Sequence, residues 1–194
     1  TRIAWIKRDS GPFGSDRRKL ERDLLSAIDR DEIAVVYQPQ FSVATGRLTG
    51  AEALARWNHP ELGQLGAATL FTLAERTDHV THLSRHIIGR ALAQAATWPR
   101  RMTLSVNITA ACLSINGFAD QLLAVVQEAG FPVERLTVEL TEQMLIGDVE
   151  MASRTLAALS QRGAQIALDD FGCGFCNFRY LKLLPLDFLK LDRT

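Results

Sequence analysis

The chain of 194 residues has little cysteine, little proline and no net charge. Its three cysteines are too few for a disulfide framework, which indicates a reducing compartment. Lys+Arg and Asp+Glu both number 22, so no overall field draws the chain to a nucleic acid polymer or an anionic membrane. No apolar run approaches the ~18 residues that span a bilayer. We therefore expect a cytoplasmic domain without membrane contact of its own, which is compatible with its being the cytoplasmic part of a larger, membrane-attached sensor.

The composition otherwise suits one globular domain, with 47% apolar and 23% charged residues. The segment DSGPFGSD at 9–16 contains the Gly, Pro and Ser typical of linkers. We predict that residues 1–15 link this chain to an upstream domain and that residues 16–194 form the folded unit.

Periodicity predicts strands that alternate with helices. Asp16 is a candidate cap for a helix whose apolar stripe contains Leu20, Leu24, Leu25 and Ile28. Short apolar segments then alternate with longer helical patterns as far as FLKLD at 188–192. This alternation favours a parallel sheet with helical crossovers, and the number of units favours a barrel over an open sheet.

Polar residues share one face of several predicted strands. In MTLSVNI, the residues Leu104, Val106 and Ile108 fall on one face, and Ser105 and Asn107 on the other. Three later strands repeat this pattern, with Leu136, Val138 and Leu140 opposite Thr137 and Glu139, Ile166 and Leu168 opposite Ala167 and Asp169, and Leu189 and Leu191 opposite Lys190 and Asp192. The apolar face suits packing against helices. The polar face places functional groups near the carboxyl ends of the strands, where barrel enzymes keep their chemistry.

Carboxylates that converge at one mouth would raise one another's pKa unless cations were present. Oxygen ligands without His or Cys suit Mg²⁺ or Mn²⁺ rather than zinc. The candidate ligands are Glu52, Asn107, Glu139, Asp169 and Asp170. Two such ions ~4 Å apart can activate a water and stabilise the oxygens of a phosphodiester during its cleavage.

Two basic residues accompany this set. Lys190 is positioned to orient a water or to neutralise charge. Arg56 follows Glu52 by four residues on the same strand parity, and its planar guanidinium suits a phosphate.

Five motifs in order resemble the EAL family of bacterial second-messenger domains. They are YQP at 37–39 with EALARW at 52–57, VNIT at 106–109, ELTE at 139–142, DDFG at 169–172 and KLD at 190–192. The resemblance implies an α/β fold, a modified (β/α)8 TIM-like barrel that binds cyclic di-GMP. It also implies hydrolysis of this ligand to linear pGpG with two Mg²⁺ or Mn²⁺ ions.

The resemblance also implies roles for individual residues. Metal would be held by Glu52, Asn107, Glu139 and Asp169, with Asp169 and Asp170 serving the second ion; Lys190, Glu52 and Asp169 would be catalytic; Gln38, Leu54 and Arg56 would bind substrate; and Glu142, Gly172, Cys176 and Asp192 would support the site. The implied partners are cyclic di-GMP, an upstream sensory or GGDEF-type domain, and a second copy in a homodimer.

Two departures from the family pattern bear on activity. The loop DDFGCGFCNFRYL replaces the usual DDFGTGYSSLxYL, so that Cys173, Phe175, Cys176 and Asn177 stand where Thr, Tyr, Ser and Ser are common. A thiol is a weak hydrogen-bond donor, so this loop has lost groups that would bond Glu142. The resemblance also implies two further strand-helix units, so we expect a C-terminally incomplete domain. Its remaining part, whether truncated, disordered or supplied by a partner chain, would carry some of the site.

Three further interpretations remain open. A degenerate domain would bind cyclic di-GMP or a protein partner without turnover. The pair Cys173 and Cys176 has redox or zinc spacing but lacks a second pair, so a loop substitution is favoured. The residues His79, His82 and His86 can share a helix face, which we interpret as partly solvated rather than metal-binding.

Overall fold

A computed structural model describes residues 17–146, 149–171 and 182–191. The predicted linker, Asp16, the loop residues 172–177 and Asp192 lie outside these ranges. The helices and strands follow in the order α1 (Arg17–Ala27), β1 (Ile33–Phe41), β2 (Leu48–His59), β3 (Gly63–Gly66), α2 (Ala67–Arg76), α3 (Val80–Ala95), β4 (Thr103–Asn107), α4 (Ala110–Leu113), α5 (Phe118–Glu128), β5 (Leu136–Thr141), α6 (Val149–Gln161), β6 (Gln165–Phe171) and β7 (Phe188–Leu191). Short 3₁₀ helices occupy Val133–Arg135 and Glu142–Ile146.

One sheet contains all of these strands, in the order β1-β2-β4-β5-β6-β7, with β3 paired to β2. The pairs from β2 through β4, β5, β6 and β7 are parallel, and helices lie in sequence between β2 and β4, between β4 and β5, and between β5 and β6. The strand β1 instead forms an antiparallel pair with β2. The predicted α/β fold with a parallel sheet and helical crossovers is confirmed, and the first strand departs from it by pairing antiparallel with β2.

The short strand β3 was not predicted. It forms an antiparallel hairpin with the end of β2, in which Arg56 lies opposite Gly66. Gly63 begins this strand at φ +72°, a left-handed conformation that glycine adopts without steric cost. The hairpin extends β2 beyond the region that pairs with β4.

Burial confirms the predicted strand parity at the centre of the sheet. Leu104, Val106 and Ile108 are buried among the helices, as expected for the apolar face. Ser105 and Thr137 on the opposite face are also buried, so the central strands are covered on both sides. Such double coverage is typical of parallel sheets in α/β proteins.

In β7 the predicted parity is confirmed for Lys190, which faces the acidic residues of the other strands, but the expected packing of its apolar residues is wrong. Leu189 and Leu191, which we expected to pack against helices, are 45% and 75% exposed. The recorded pairings of β7 are to β6 alone, which places these leucines at an edge of the described sheet.

Helix α1 also corrects one detail of its predicted stripe. Leu20 and Leu24 are buried and Ile28 is partly buried against the core, but Leu25 is exposed. Residues one apart on a helix differ by about 100° in direction, so Leu24 and Leu25 do not share the narrow buried face.

Polar contacts join the end of β2 to the region of α1. Trp57 donates its indole N–H to Glu32 at 3.0 Å. The buried imidazole of His59 lies 3.3 Å from the carboxylate of Asp23 on α1. These contacts hold the strand that carries Glu52 against the first helix.

No helix in the part of the chain that the structure describes is long and apolar enough to cross a membrane; α3, with 16 residues, is the longest of them.

Gly50 permits the close parallel approach of β2 and β4. It lies opposite Thr103 in the register of these strands. A Cβ atom at position 50 would overlap the hydroxyl of Thr103 and lie 2.6 Å from its backbone carbonyl oxygen. Because a backbone atom cannot rotate away, the strand itself would have to shift.

Gly50→Ala should therefore lower the free energy of unfolding by about 1–3 kcal/mol, the usual cost of overpacking. Gly89→Ala is the matched control, because its Cβ would lie in α3 at an ordinary 3.7 Å from Val125. This second change should raise the free energy of unfolding by about 0.5–1 kcal/mol through helix propensity. Urea denaturation of both variants checks the opposite signs, and equal effects would contradict the close-approach explanation.

Candidate functional site

The parallel register brings the predicted acidic residues to one part of the sheet. Glu52 on β2 lies opposite Ser105 on β4, and Asn107 on β4 lies opposite Glu139 on β5. Asp169 on β6 lies opposite Thr141 at the end of β5. The strands β2, β4, β5 and β6 thus each place an acidic or amide side chain in this part of the sheet.

Lys190 on β7 lies at the centre of this group. Its Nζ atom donates to Oε2 of Glu52 at 3.0 Å, to Oε2 of Glu139 at 2.6 Å and to Oδ2 of Asp169 at 2.7 Å. We call these four residues the lysine–carboxylate cluster. Three of its members come from β2, β5 and β6, so the cluster joins strands across the sheet.

Neighbouring polar groups orient the carboxylates. Asn107 donates its amide N–H to Oε1 of Glu52 at 2.7 Å. Ser105 accepts a hydrogen bond from Gln40 of β1 at 3.2 Å, and its nearby hydroxyl group lowers the pKa of Glu139. Sequence reasoning did not include Ser105 and Gln40 among the site residues. Ser105 shares the strand parity of Asn107, and this was the one signal that pointed to it.

Burial governs the electrostatics of the cluster. Glu139 is only 1% exposed, and this burial raises the pKa of its carboxyl group; hydrogen bonding to Lys190 opposes the shift in part, and the charge of Glu52 adds to it. Burial alone would lower the pKa of the Lys190 ammonium group. Its hydrogen bonds to Asp169 and Glu139 outweigh burial, so the pKa lies above its ordinary value and the lysine stays charged.

An irregularity in β6 separates the two consecutive aspartates. In the pairing with β7, the register shifts between Leu168 and Phe171, so β6 contains one extra residue there. Asp170 has φ 55°, and its backbone N–H donates to Oδ1 of Asp169 at 2.9 Å. Asp is among the residues that tolerate this left-handed conformation. Asp169 points into the cluster, and Asp170 is exposed.

The donor set fits a hard divalent cation. Ligand oxygens from Glu52, Glu139 and Asp169 lie within 4.8 Å of one another, and in the described ranges this is the one group of three or more acidic, His or Cys residues so arranged. Carboxylate oxygens with a neighbouring amide suit Mg²⁺ or Mn²⁺. The predicted ligands Glu52, Asn107, Glu139 and Asp169 are thus adjacent, and the place of Asp170 at a second ion stays a prediction.

The predicted substrate residues follow the same edge of the sheet. Gln38 is exposed on β1 directly opposite Glu52. Leu54 and Arg56 are partly buried and alternate with buried residues along β2, on the parity of Glu52. The Arg56 guanidinium donates to the carbonyl oxygen of Ala55 at 2.8 Å.

A cavity of about 540 Å³ is lined in part by Leu54 and by Asn107, the residue that hydrogen-bonds Glu52 of the cluster. Side chains from α2, α3 and the 3₁₀ helix after β5 also line it, among them Phe71, Ile87 and Met144. The wall is mostly apolar, which is typical of pockets for organic ligands rather than for ions alone.

The remaining predicted residues divide into two groups. Glu142 is 3% exposed, and its Oε1 has no hydrogen-bond partner among the residues that the structure describes. Gly172, Cys176 and Asp192 lie outside those residues, so their supporting roles stay predictions. His82 is exposed and His86 is partly buried in α3, and His79, which directly precedes this helix, is partly buried, in agreement with the interpretation as a partly solvated helix face.

Comparison with known proteins agrees with this geometry. Residues 21–194 match the EAL domain family. A cyclic di-GMP phosphodiesterase of Pseudomonas aeruginosa, PA2567, is 36% identical over 88% of this chain. A protein of Mycobacterium bovis, Mb1392c, is 36% identical over 96% of it. The chain spans 30% of the length of PA2567 and 62% of the length of Mb1392c.

Solved structures show the same fold. The PaMucR phosphodiesterase in complex with c-di-GMP has a TM-score of 0.85 and 30% identity, covering 90% of this chain and 72% of that one. The EAL enzyme Bd1971 in its cAMP- and cyclic-di-GMP-bound form has a TM-score of 0.83 and 27% identity, covering 92% of this chain and 50% of that one. The chain belongs to the EAL domain family.

Proposed function

We propose that this EAL domain binds cyclic di-GMP and hydrolyses it to linear pGpG with two divalent ions, Mg²⁺ or Mn²⁺. The observation that supports this most is the convergence of Glu52, Glu139 and Asp169 within ligand distance of one another, with Lys190 among them. The relatives named for cyclic di-GMP turnover or bound to this ligand support the choice of substrate.

In this proposal, Glu52, Asn107, Glu139 and Asp169 would hold the first ion, and Asp169 with Asp170 would serve the second. Bound divalent ions supply Lewis acidity to a phosphodiester and favour ionisation of water at neutral pH. Glu139 contributes a ligand whose position is fixed by burial. Glu52 is oriented by the amide of Asn107.

The basic residues act on the substrate and the attacking water. Lys190 projects from the edge strand β7 and would orient the water or neutralise charge that develops on the phosphate. Arg56 would bind a phosphate oxygen pair through its planar guanidinium. Gln38 and Leu54 would contact the ligand beside it, and the apolar wall near Leu54 suits the face of a guanine base.

The partners of the whole protein are also proposals. An upstream sensory or GGDEF-type domain fits relatives that are longer than their matching segments. The family resemblance implies a homodimer, and the composition led us to expect a cytoplasmic location.

The experiment that tests this function measures cyclic di-GMP and pGpG by chromatography after incubation of the full-length protein with Mn²⁺. We expect linear pGpG with Mn²⁺ and none with excess chelator. Glu139→Gln should lower the rate by at least about 100-fold, because it removes a ligand from an ion that contributes several kcal/mol to the barrier. Glu134→Gln is the matched control, since Glu134 is exposed on the helical turn before β5.

Intact cyclic di-GMP after incubation with Mn²⁺ would contradict the enzymatic proposal. Binding of the ligand without turnover would favour the receptor alternative. That outcome would direct attention to the altered loop around Cys176.

Arg56→Lys tests the phosphate contact separately from the chemistry. Lysine keeps the charge but loses the two-point geometry, so the Kd for cyclic di-GMP should rise about tenfold. Equilibrium dialysis in the presence of chelator measures this Kd without turnover. Arg101→Lys at an exposed position before β4 should leave the Kd unchanged, and an equal rise in both variants would indicate a general charge effect.

A further inference from the structure

We propose that the Lys190 ammonium group and a divalent ion compete for the same carboxylate oxygens, so that Lys190 must leave the lysine–carboxylate cluster when an ion binds. The inference rests on the metal site of the proposed function and not on turnover. It makes Lys190 a built-in counter-cation that sets how tightly the site holds metal.

The distances from Nζ of Lys190 to the carboxylate oxygens leave no separate space for an ion among them. Nζ of Lys190 lies 2.6 Å from Oε2 of Glu139, 2.7 Å from Oδ2 of Asp169 and 3.0 Å from Oε2 of Glu52. Mg²⁺ binds carboxylate oxygens at about 2.0–2.1 Å. An ion held by these oxygens would therefore fill the space that the ammonium group and its hydrogens occupy.

The positive charges of Lys190 and a divalent ion would oppose their sharing the site. Two cations at such short separation repel each other strongly in a partly buried site, where water screens them less than in bulk. Glu139 is almost fully buried and cannot turn to solvent. The carboxylates must therefore stay, and one of the two cations must move.

Mobility identifies the cation that moves. The Lys190 side chain is 29% exposed, on strand β7 at an edge of the described sheet. Its four-carbon stem has several rotatable bonds, so the ammonium group can reach solvent without backbone change. The same flexibility leaves it close enough to contact a phosphate or a water after an ion has bound.

Lys190→Met tests the competition, because methionine keeps much of the length and removes the charge. Mn²⁺ titration by isothermal calorimetry on the full-length protein should show at least about tenfold tighter binding in this variant. Lys182→Met is the matched control, since Lys182 is an exposed lysine that makes the same change in net charge outside the cluster. Its Mn²⁺ affinity should equal that of the wild type.

Thermal unfolding gives a second readout that does not depend on activity. Without added metal, Lys190→Met should unfold at a lower temperature than the wild type, because Glu139 then faces the other carboxylates without its cation. Saturating Mn²⁺ should raise the Tm more in this variant than in the wild type, as tighter binding to the folded state requires.

A measurement on the wild type covers the case in which Lys190→Met does not fold. Acetylation of lysine amines, followed by mass spectrometry, reports how available each ammonium group is. Mn²⁺ should speed the acetylation of Lys190 severalfold while that of Lys182 stays constant. An unchanged or slower reaction at Lys190 would overturn the proposal.

The outcomes separate this inference from the proposed function. One outcome overturns the competition but leaves the metal site. In it, Lys190→Met binds Mn²⁺ no more tightly than the wild type, and Glu139→Gln abolishes the binding that the wild type shows. If Glu139→Gln binds Mn²⁺ as tightly as the wild type, the proposed metal site is overturned, and the inference falls with it.

Discussion

The contact of one ammonium group with three carboxylates from three other strands is the interaction on which the site depends. Burial of Glu139 brings a carboxylate where water solvates it poorly, and like charges from Glu52 and Asp169 would make that position costly without a cation. Lys190 supplies the cation from β7. The same electrostatic demand would make the cluster attractive to a divalent ion, so the proposed affinity for metal and the need for lysine have one cause.

The register of the parallel strands brings Lys190 and the three carboxylates together. Parallel pairing from β2 to β7 places the polar residues on one face of the sheet, and helices cover the apolar face of the central strands. Gly50 allows β2 to approach Thr103 of β4, which fixes the level of Glu52 beside Ser105. The extra residue in β6 then leaves Asp169 in the cluster while Asp170 is exposed at the edge. Small departures from ideal strands thus decide where the carboxylates lie.

The alternation of polar and apolar residues along the strands, together with the order of the motifs, predicted most of the residues that form the cluster. Alternation along β4 and β5 predicted which residues face the cluster, because successive side chains of a strand point to opposite faces and only one of these faces was polar. The exposure of Leu25 and Leu191 was not predicted, since a run of leucines does not reveal which neighbours cover it. The strand β3 and the β6 irregularity arise from tertiary pairing and a left-handed Asp170, which local sequence does not specify. Ser105 was placed on the polar face but not among the candidate site residues, because a lone serine is a weak signal of function.

The central claim is that Glu52, Glu139 and Asp169 form a divalent-ion site. Anomalous X-ray diffraction from crystals of the full-length protein soaked in Mn²⁺ tests this claim most directly. We expect a manganese peak at roughly 2.0–2.2 Å from one oxygen of each carboxylate, with Nζ of Lys190 moved away from them. A fully ordered cluster with Lys190 still bound to all three carboxylates at saturating Mn²⁺, and no peak among them, would contradict it.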